Sequence, residues 1–116
     1  MKRIIEYGKE IEMLQLQTVL FNQLSKEYQS ADFEKSVSDT ERRIREISKT
    51  RENLIAEQRA KLEKVQASEV LREIFEMRYV AGLRFKEIAD KLHYSLSTVF
   101  KLHRVLLKGQ GGLKNL

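Results

Sequence analysis

The chain contains no proline, where average usage near 5% would place about six in a sequence of this length. It contains no cysteine, which excludes disulfides, thiolate metal sites and cysteine catalysis, and fits a reducing compartment. Glycine is scarce, and three of the five glycines sit together at Gly109, Gly111 and Gly112. Long apolar runs are also missing. The longest, such as Val19-Leu20-Phe21 and Val105-Leu106-Leu107, reach three residues. A membrane helix needs about 20 apolar residues and a signal peptide about 7 or more. A soluble, cytoplasmic protein without a membrane partner is therefore expected. The last absence is local: no acidic residue follows Asp90, although Lys91, Lys101, Arg104, Lys108 and Lys114 do.

What fills the chain is Glu, Lys, Arg, Leu and Gln, all good helix formers. With helix breakers so rare, an all-α fold is expected, and 116 residues suffice for one small domain with an extension. The hydrophobic fraction of 41% can build a core, while 34% charged residues implies much solvated helix surface. The net charge of +5 is unevenly spread. Residues 1–67 are nearly balanced, with 13 basic and 12 acidic side chains. Residues 68–116 carry 9 basic and 5 acidic ones, and the excess lies beyond Asp90. Such asymmetry points to a polyanionic partner, of which nucleic acid is the commonest.

From Ile4 a heptad runs through Tyr7, Ile11, Leu14, Thr18, Phe21, Ser25 and Tyr28, with six of the eight positions apolar. Gly8 within it costs roughly 0.5–1 kcal/mol relative to Ala. The periodicity lapses in QSADFEKSVSD, which reads as a turn region. A second segment restarts near Phe33 to Val37 and continues through Ile44, Ile47, Leu54, Ile55, Leu62 and Val65, with Arg51 and Gln58 at seam positions. Two long amphipathic helices joined by a short polar link pair most simply as an antiparallel hairpin, each arm of about 25 residues being roughly 37 Å long. Such a pair covers little of its own apolar surface, so the hairpin over 1–67 is expected to serve also in oligomerisation or partner binding.

Near Ala67-Ser68 the pattern changes. Ser68 can cap a new helix through EVLREIFEMRYVAG, stopped by Gly82 in a left-handed conformation, or the preceding helix can run straight through. Three short helices then follow, at about 69–81, 85–92 and 96–108. The last two have helix-turn-helix spacing. Ala89 is small where two helices cross, Ile88 and Leu92 face inward, and Val99, Leu102 and Leu106 form the inner face of the second helix. The turn His93-Tyr94-Ser95 ends in a good N-cap. Residues 68–108 thus read as a DNA-binding domain and 109–116 as a flexible tail.

The segment MRYVAGLRFKEIADKLHYSLSTVFKLHRVLLK resembles the DNA-binding region four of bacterial sigma factors. It is closer still to small phage and prophage transcriptional regulators of the RinA/ArpU type, which carry that module after a helical N-terminal part. The resemblance rests on RY-x-x-G-L (Arg78 to Leu83), EIA (Glu87 to Ala89), YS (Tyr94-Ser95) and V-x-x-LH (Val99 to His103). It implies a phage-encoded regulator that binds double-stranded DNA, often at late or packaging genes. Two positions depart from the pattern. Arg84 stands where the family usually has Ser or Thr as a helix cap, and His93 where many helix-turn-helix proteins have Gly.

At about 100° per residue, Val99, Leu102 and Leu106 fall on one side of the last helix, and Ser97, Lys101, Arg104 and Lys108 gather opposite. Arg and Lys donate to guanine edges or phosphates, and Ser can serve either. Ser97, Lys101 and Arg104 are the expected base readers; Arg84, Lys86, Ser95 and Lys108 are the expected phosphate contacts. A second stripe, Leu96, Phe100, His103 and Leu107, lies beside the basic face. It either touches thymine methyls and sugars or packs on the hairpin or a second subunit. No Gly-rich phosphate loop, nucleophile elbow or metal-ligand cluster occurs, so neither catalysis nor a cofactor is expected. A sequence-specific regulator, dimeric and able to contact a partner such as RNA polymerase, is the leading expectation. A small-terminase-like DNA-packaging protein and a sigma-like adaptor that binds polymerase rather than DNA are the alternatives.

Overall fold

The structure is a computed structural model and describes residues 3–108. The expected tail over 109–116 lies outside the described residues. Among the described residues five α-helices follow one another: α1 (Ile4–Tyr28), α2 (Ala31–Lys64), α3 (Glu69–Phe75), α4 (Phe85–Leu92) and α5 (Leu96–Lys108). A π-helical turn, Glu76–Val80, continues directly from α3. The described residues contain no strand and no helix long and apolar enough to cross a membrane. The all-α class with an N-terminal helical hairpin and a C-terminal helix-turn-helix holds.

The described residues fall into two compact units. Glu6–Glu52 form one; the residues up to Ile5 and those from Asn53 onward form the other. In the first unit α1 and α2 pair antiparallel. Arg43 lies 3.6 Å from Glu10, the Arg51 guanidinium passes over Gly8, and the rings of Tyr28 and Phe33 face each other at 6.3 Å across the turn. The heptad positions of α1 are its least exposed ones from Tyr7 to Ser25; Tyr28 is the exception and is exposed. The turn is shorter than the polar composition suggests, just Gln29 and Ser30. Ser30 Oγ accepts from the Asp32 amide (3.2 Å) and so caps α2 at its start. Ser36, which reads as a turn residue, sits inside α2, and both it and Thr40 donate their hydroxyls to carbonyls four residues back.

The second unit holds a continuous core. Ile4, Ile55, Leu62, Ala67, Ile74, Phe75, Tyr79, Ile88, Ala89, Val99 and Leu106 are all buried in one cluster. The end of α2 and the first residues of α1 thus share a core with the helix-turn-helix. The helix does break before Ser68. Gln66 takes a left-handed conformation (φ 54°), and the Ala67 amide reaches back to the Leu62 carbonyl at 3.0 Å, which closes the C-terminus of α2. Bidentate pairing of Arg59 with Glu76 (2.6 and 3.0 Å) ties α2 to the π turn at the surface.

Candidate nucleic-acid interface

The module is built so that α5 is held from one side only. Val99 is fully buried and Leu106 nearly so, and Leu102 is half-buried, as the wheel requires. Ile88 and Ala89 of α4 are buried, and the small Ala89 side chain lets the α4 and α5 backbones approach. The α4–α5 turn closes on Ala89 as well, whose carbonyl accepts from the Tyr94 amide at 3.0 Å. This closure puts His93 at φ 58°, ψ 37°, the left-handed region where glycine is the usual occupant. The departure at His93 therefore carries backbone strain without altering the turn. Ser95 then caps α5: its Oγ accepts from the Thr98 amide (3.1 Å) and lies 2.8 Å from the Thr98 hydroxyl.

At the start of α4 the reciprocal arrangement is only half made. A guanidinium carries no acceptor, so Arg84 cannot receive a bond from the first turn. Instead the Glu87 carboxylate accepts from the Arg84 amide (3.2 Å) and from its Nε (2.9 Å). These bonds hold the Glu87 carboxyl below the usual carboxylate range. Arg84 is exposed but already engaged by a carboxylate of its own helix, so its charge is partly screened from any phosphate. The loss of the Ser/Thr cap was legible in the sequence; its replacement by the Glu87 carboxylate was not.

Arg78 explains the RY-x-x-G-L stretch. Its Nη1 donates to the Leu83 carbonyl (3.0 Å) while its guanidinium lies 4.3 Å over the Phe85 ring. Gly82 takes φ 72°, and the Leu83 amide reaches the Met77 carbonyl at 2.9 Å, an unusually wide closure that follows from the π turn. The one side chain of Arg78 thus fixes the entry to α4. Tyr79, the next residue, is buried, and its hydroxyl meets His103 Nε2 of α5 at 2.5 Å. Burial is the main influence on both: it raises the Tyr79 hydroxyl and, helped by nearby Arg78, lowers the His103 imidazole below its ordinary value.

The stripe beside the basic face takes a course that neither sequence reading described. His103 stacks on Tyr79, Phe85 meets His103 edge-on at 4.8 Å, and Phe100 packs on Phe85 at 5.1 Å. Phe100 and His103 are thus anchored inside the module, on α4 and the π turn. Their partners lie elsewhere in the sequence, so periodicity along α5 alone could not reveal them. Phe100 still keeps 43% of its surface exposed, close to Leu96 (42%).

The predicted contact residues are all exposed: Arg84, Lys86, Ser95, Ser97, Lys101, Arg104 and Lys108. Lys101, Arg104 and Lys108 come together around a shallow depression of about 420 Å³, whose fourth wall is Val105. Val105 is half-exposed and was not singled out in the sequence, where an apolar residue in α5 reads as core. Lys86 lies on α4, and Arg84 and Ser95 mark the starts of α4 and α5.

Residues 68–107, a little over a third of the chain, match the family model described as Sigma-70, region 4. The matched segment spans α3, the π turn, α4 and nearly all of α5, the same elements that position the basic face. No curated protein and no solved structure matches the chain.

Proposed function

We propose that the chain is a sequence-specific DNA-binding transcriptional regulator that reads the major groove with α5. The observation that carries this reading is the one-sided mounting of α5. Val99 and Leu106 lock the helix into the core, while Lys101, Arg104 and Lys108 stand exposed around one depression with no carboxylate on their helix. A helix held this way can enter a groove as a rigid body, and its cations can face phosphates and base edges together. On this reading Ser97, Lys101 and Arg104 read bases, and Lys86, Ser95 and Lys108 contact phosphates; all six are exposed. The sigma-70 region 4 match supports DNA as the partner and transcription as the context. The resemblance to RinA/ArpU-type proteins supports a phage or prophage origin, acting in the cytoplasm where DNA is accessible. A single module buries only about 600–1,000 Å² on DNA, so useful specificity calls for two or more copies.

One observation favours a second reading. Tyr94, Leu96 and Phe100 leave an apolar surface beside α5 that a protein such as RNA polymerase could cover, which would make the module an adaptor. Selection of bound DNA from a random pool with the purified chain tests the first reading. Enrichment of a discrete sequence is expected, with affinity falling steeply as salt rises, by about 0.9 in log–log slope per phosphate neutralised. Arg104→Ala should then cost about 1–3 kcal/mol on the selected site and much less on random DNA. No enrichment at low salt would leave the adaptor reading in its place.

A further inference from the structure

The hairpin unit presents its apolar surplus on one helix. Outside the heptad that faces α2, α1 carries Met13, Leu16, Val19 and Leu20, each more than half exposed (61, 72, 55 and 52%). No large apolar side chain of α2 is comparably exposed; its outer side is charged. Within Glu6–Glu52 the one buried apolar residue is Ile47, so this hairpin lacks the core that a pair of long helices needs.

The exposed residues follow a second heptad, Lys9, Met13, Leu16, Leu20, Gln23 and Glu27, on roughly the opposite side of α1 from the first. Its spacing, 4-3-4-3-4, reads the same in both directions. Turned antiparallel on itself about a point level with Thr18, α1 places Leu16 against Leu20 of a second copy, Met13 against Gln23 and Lys9 against Glu27. Every seam position meets a partner, as antiparallel coiled coils require. The ends become oppositely charged pairs. A parallel pairing would instead set Lys9 against Lys9 and Glu27 against Glu27. On the flank, Glu12, Val19 and Lys26 recur every seven residues, and the same antiparallel turn brings Glu12 towards Lys26 and Val19 near its own copy.

We infer that the outer face of α1 is a self-association surface, on which a second copy of this chain docks its own α1 antiparallel, centred level with Thr18. The occupant is fixed by two properties together: the core deficit of the hairpin and the charge pattern that complements itself only when reversed. This rests on the reading that the regulator acts in more than one copy, and it adds the face, the direction and the register.

Sedimentation and thiol crosslinking of the full chain test it. The chain has no cysteine, so single cysteines report position directly. A short bis-maleimide should join two Val19→Cys chains efficiently and two Lys9→Cys chains hardly at all, since these would stand about 27 Å apart. Equal crosslinking at both positions would mark a parallel pair and overturn the inference. Leu16→Glu combined with Leu20→Glu should weaken self-association by roughly a hundredfold or more. Lys9→Glu alone should weaken it less, and adding Glu27→Lys should restore it. A wild-type chain that sediments as a monomer at high micromolar concentration overturns both the inference and the multi-copy reading. An oligomer indifferent to the Leu16 and Leu20 changes, with no crosslink at Val19→Cys, overturns the inference and leaves the multi-copy reading standing.

Discussion

The two units of this molecule solve the same problem of burial in opposite ways. The unit that contains the helix-turn-helix gathers eleven buried residues, from Ile4 to Leu106, into one cluster where the short helices meet the start of α1 and the end of α2. The hairpin Glu6–Glu52 has longer helices and a more regular heptad, yet buries Ile47 alone among its apolar residues. Length and periodicity therefore do not measure self-sufficiency. What matters is how many elements converge. Three or more helices enclose a side chain, whereas two leave each seam residue half open. The hairpin leaves its apolar seams half open, whereas the unit that contains the helix-turn-helix encloses its own core.

The sharpest way to break that contrast is to hollow out the compact unit. Phe75 is 1% exposed and packs on the Tyr79 ring at 5.8 Å. Phe75→Ala should destabilise the chain by about 3–5 kcal/mol in denaturant titration. Leu14→Ala, at a half-buried hairpin position, should cost about 1 kcal/mol, because much of the side chain was never removed from water. Equal losses would mean that the hairpin is as well packed as the other unit.

The Tyr79–His103 pair gives an intermediate effect with a pH signature. Tyr79→Phe removes one half-buried hydrogen bond and should cost about 1 kcal/mol near neutral pH. The sign of the pH dependence follows from His103, whose folded value lies below the ordinary one of about 6.5. In this range the unfolded chain binds the proton more readily, so stability is full above that value and declines as pH falls through it. Melting curves between neutral and mildly acid pH should show this decline in the wild type and a shallower one in His103→Gln. An unchanged slope would place the titrating group elsewhere.

Much of the fold was legible because its signals are local. The first heptad, the Ser95 cap, Gly82 as a stop and the inward Val99 and Leu106 could all be read from neighbouring residues. The helix ends at Gln29 and His93 were legible too, from the lapse of the heptad and the spacing of the short helices, whereas the one at Gln66 was left open between a break and a continuous helix. All three adopt positive φ without glycine, so no residue type marked the left-handed conformation at these ends. Around the candidate interface, the residues that carry the family resemblance turn out to be scaffold. Arg78 closes the loop before α4, Glu87 holds the Arg84 amide, Ala89 permits the crossing and His103 anchors α5 to Tyr79. The cations on the open side were legible from charge and periodicity alone. The Phe85–Phe100 contact was not, because it joins two helices whose separate patterns say nothing of each other.

The left-handed end without glycine can be tested in the compact unit. His93→Gly should relieve the left-handed strain, offset in part by the greater freedom glycine gives the unfolded chain, for a net gain of about 0.5–1 kcal/mol. The gain should appear as a higher melting temperature with unchanged affinity for DNA, since His93 is not among the proposed contacts. A loss of stability would mean that the imidazole makes a contribution larger than the strain it imposes.

The smallest effect belongs to the hairpin, at its one glycine. Gly8 lies in the body of α1, where glycine weakens a helix by roughly 0.5–1 kcal/mol relative to alanine. A Cβ there would stand 3.4 Å from Arg51 Nε, at the near edge of ordinary contact and against a side chain that can shift. Gly8→Ala should therefore stabilise the hairpin by about 0.5 kcal/mol, part of the helical gain being spent on moving the guanidinium. Amide exchange resolves so small a change, and it should slow along α1 and the facing half of α2 while the core amides of α3 to α5 keep their rates. If Gly8→Ala speeds exchange instead, the close passage of Arg51 over the helix is the more valuable of the two, and glycine is there to permit it.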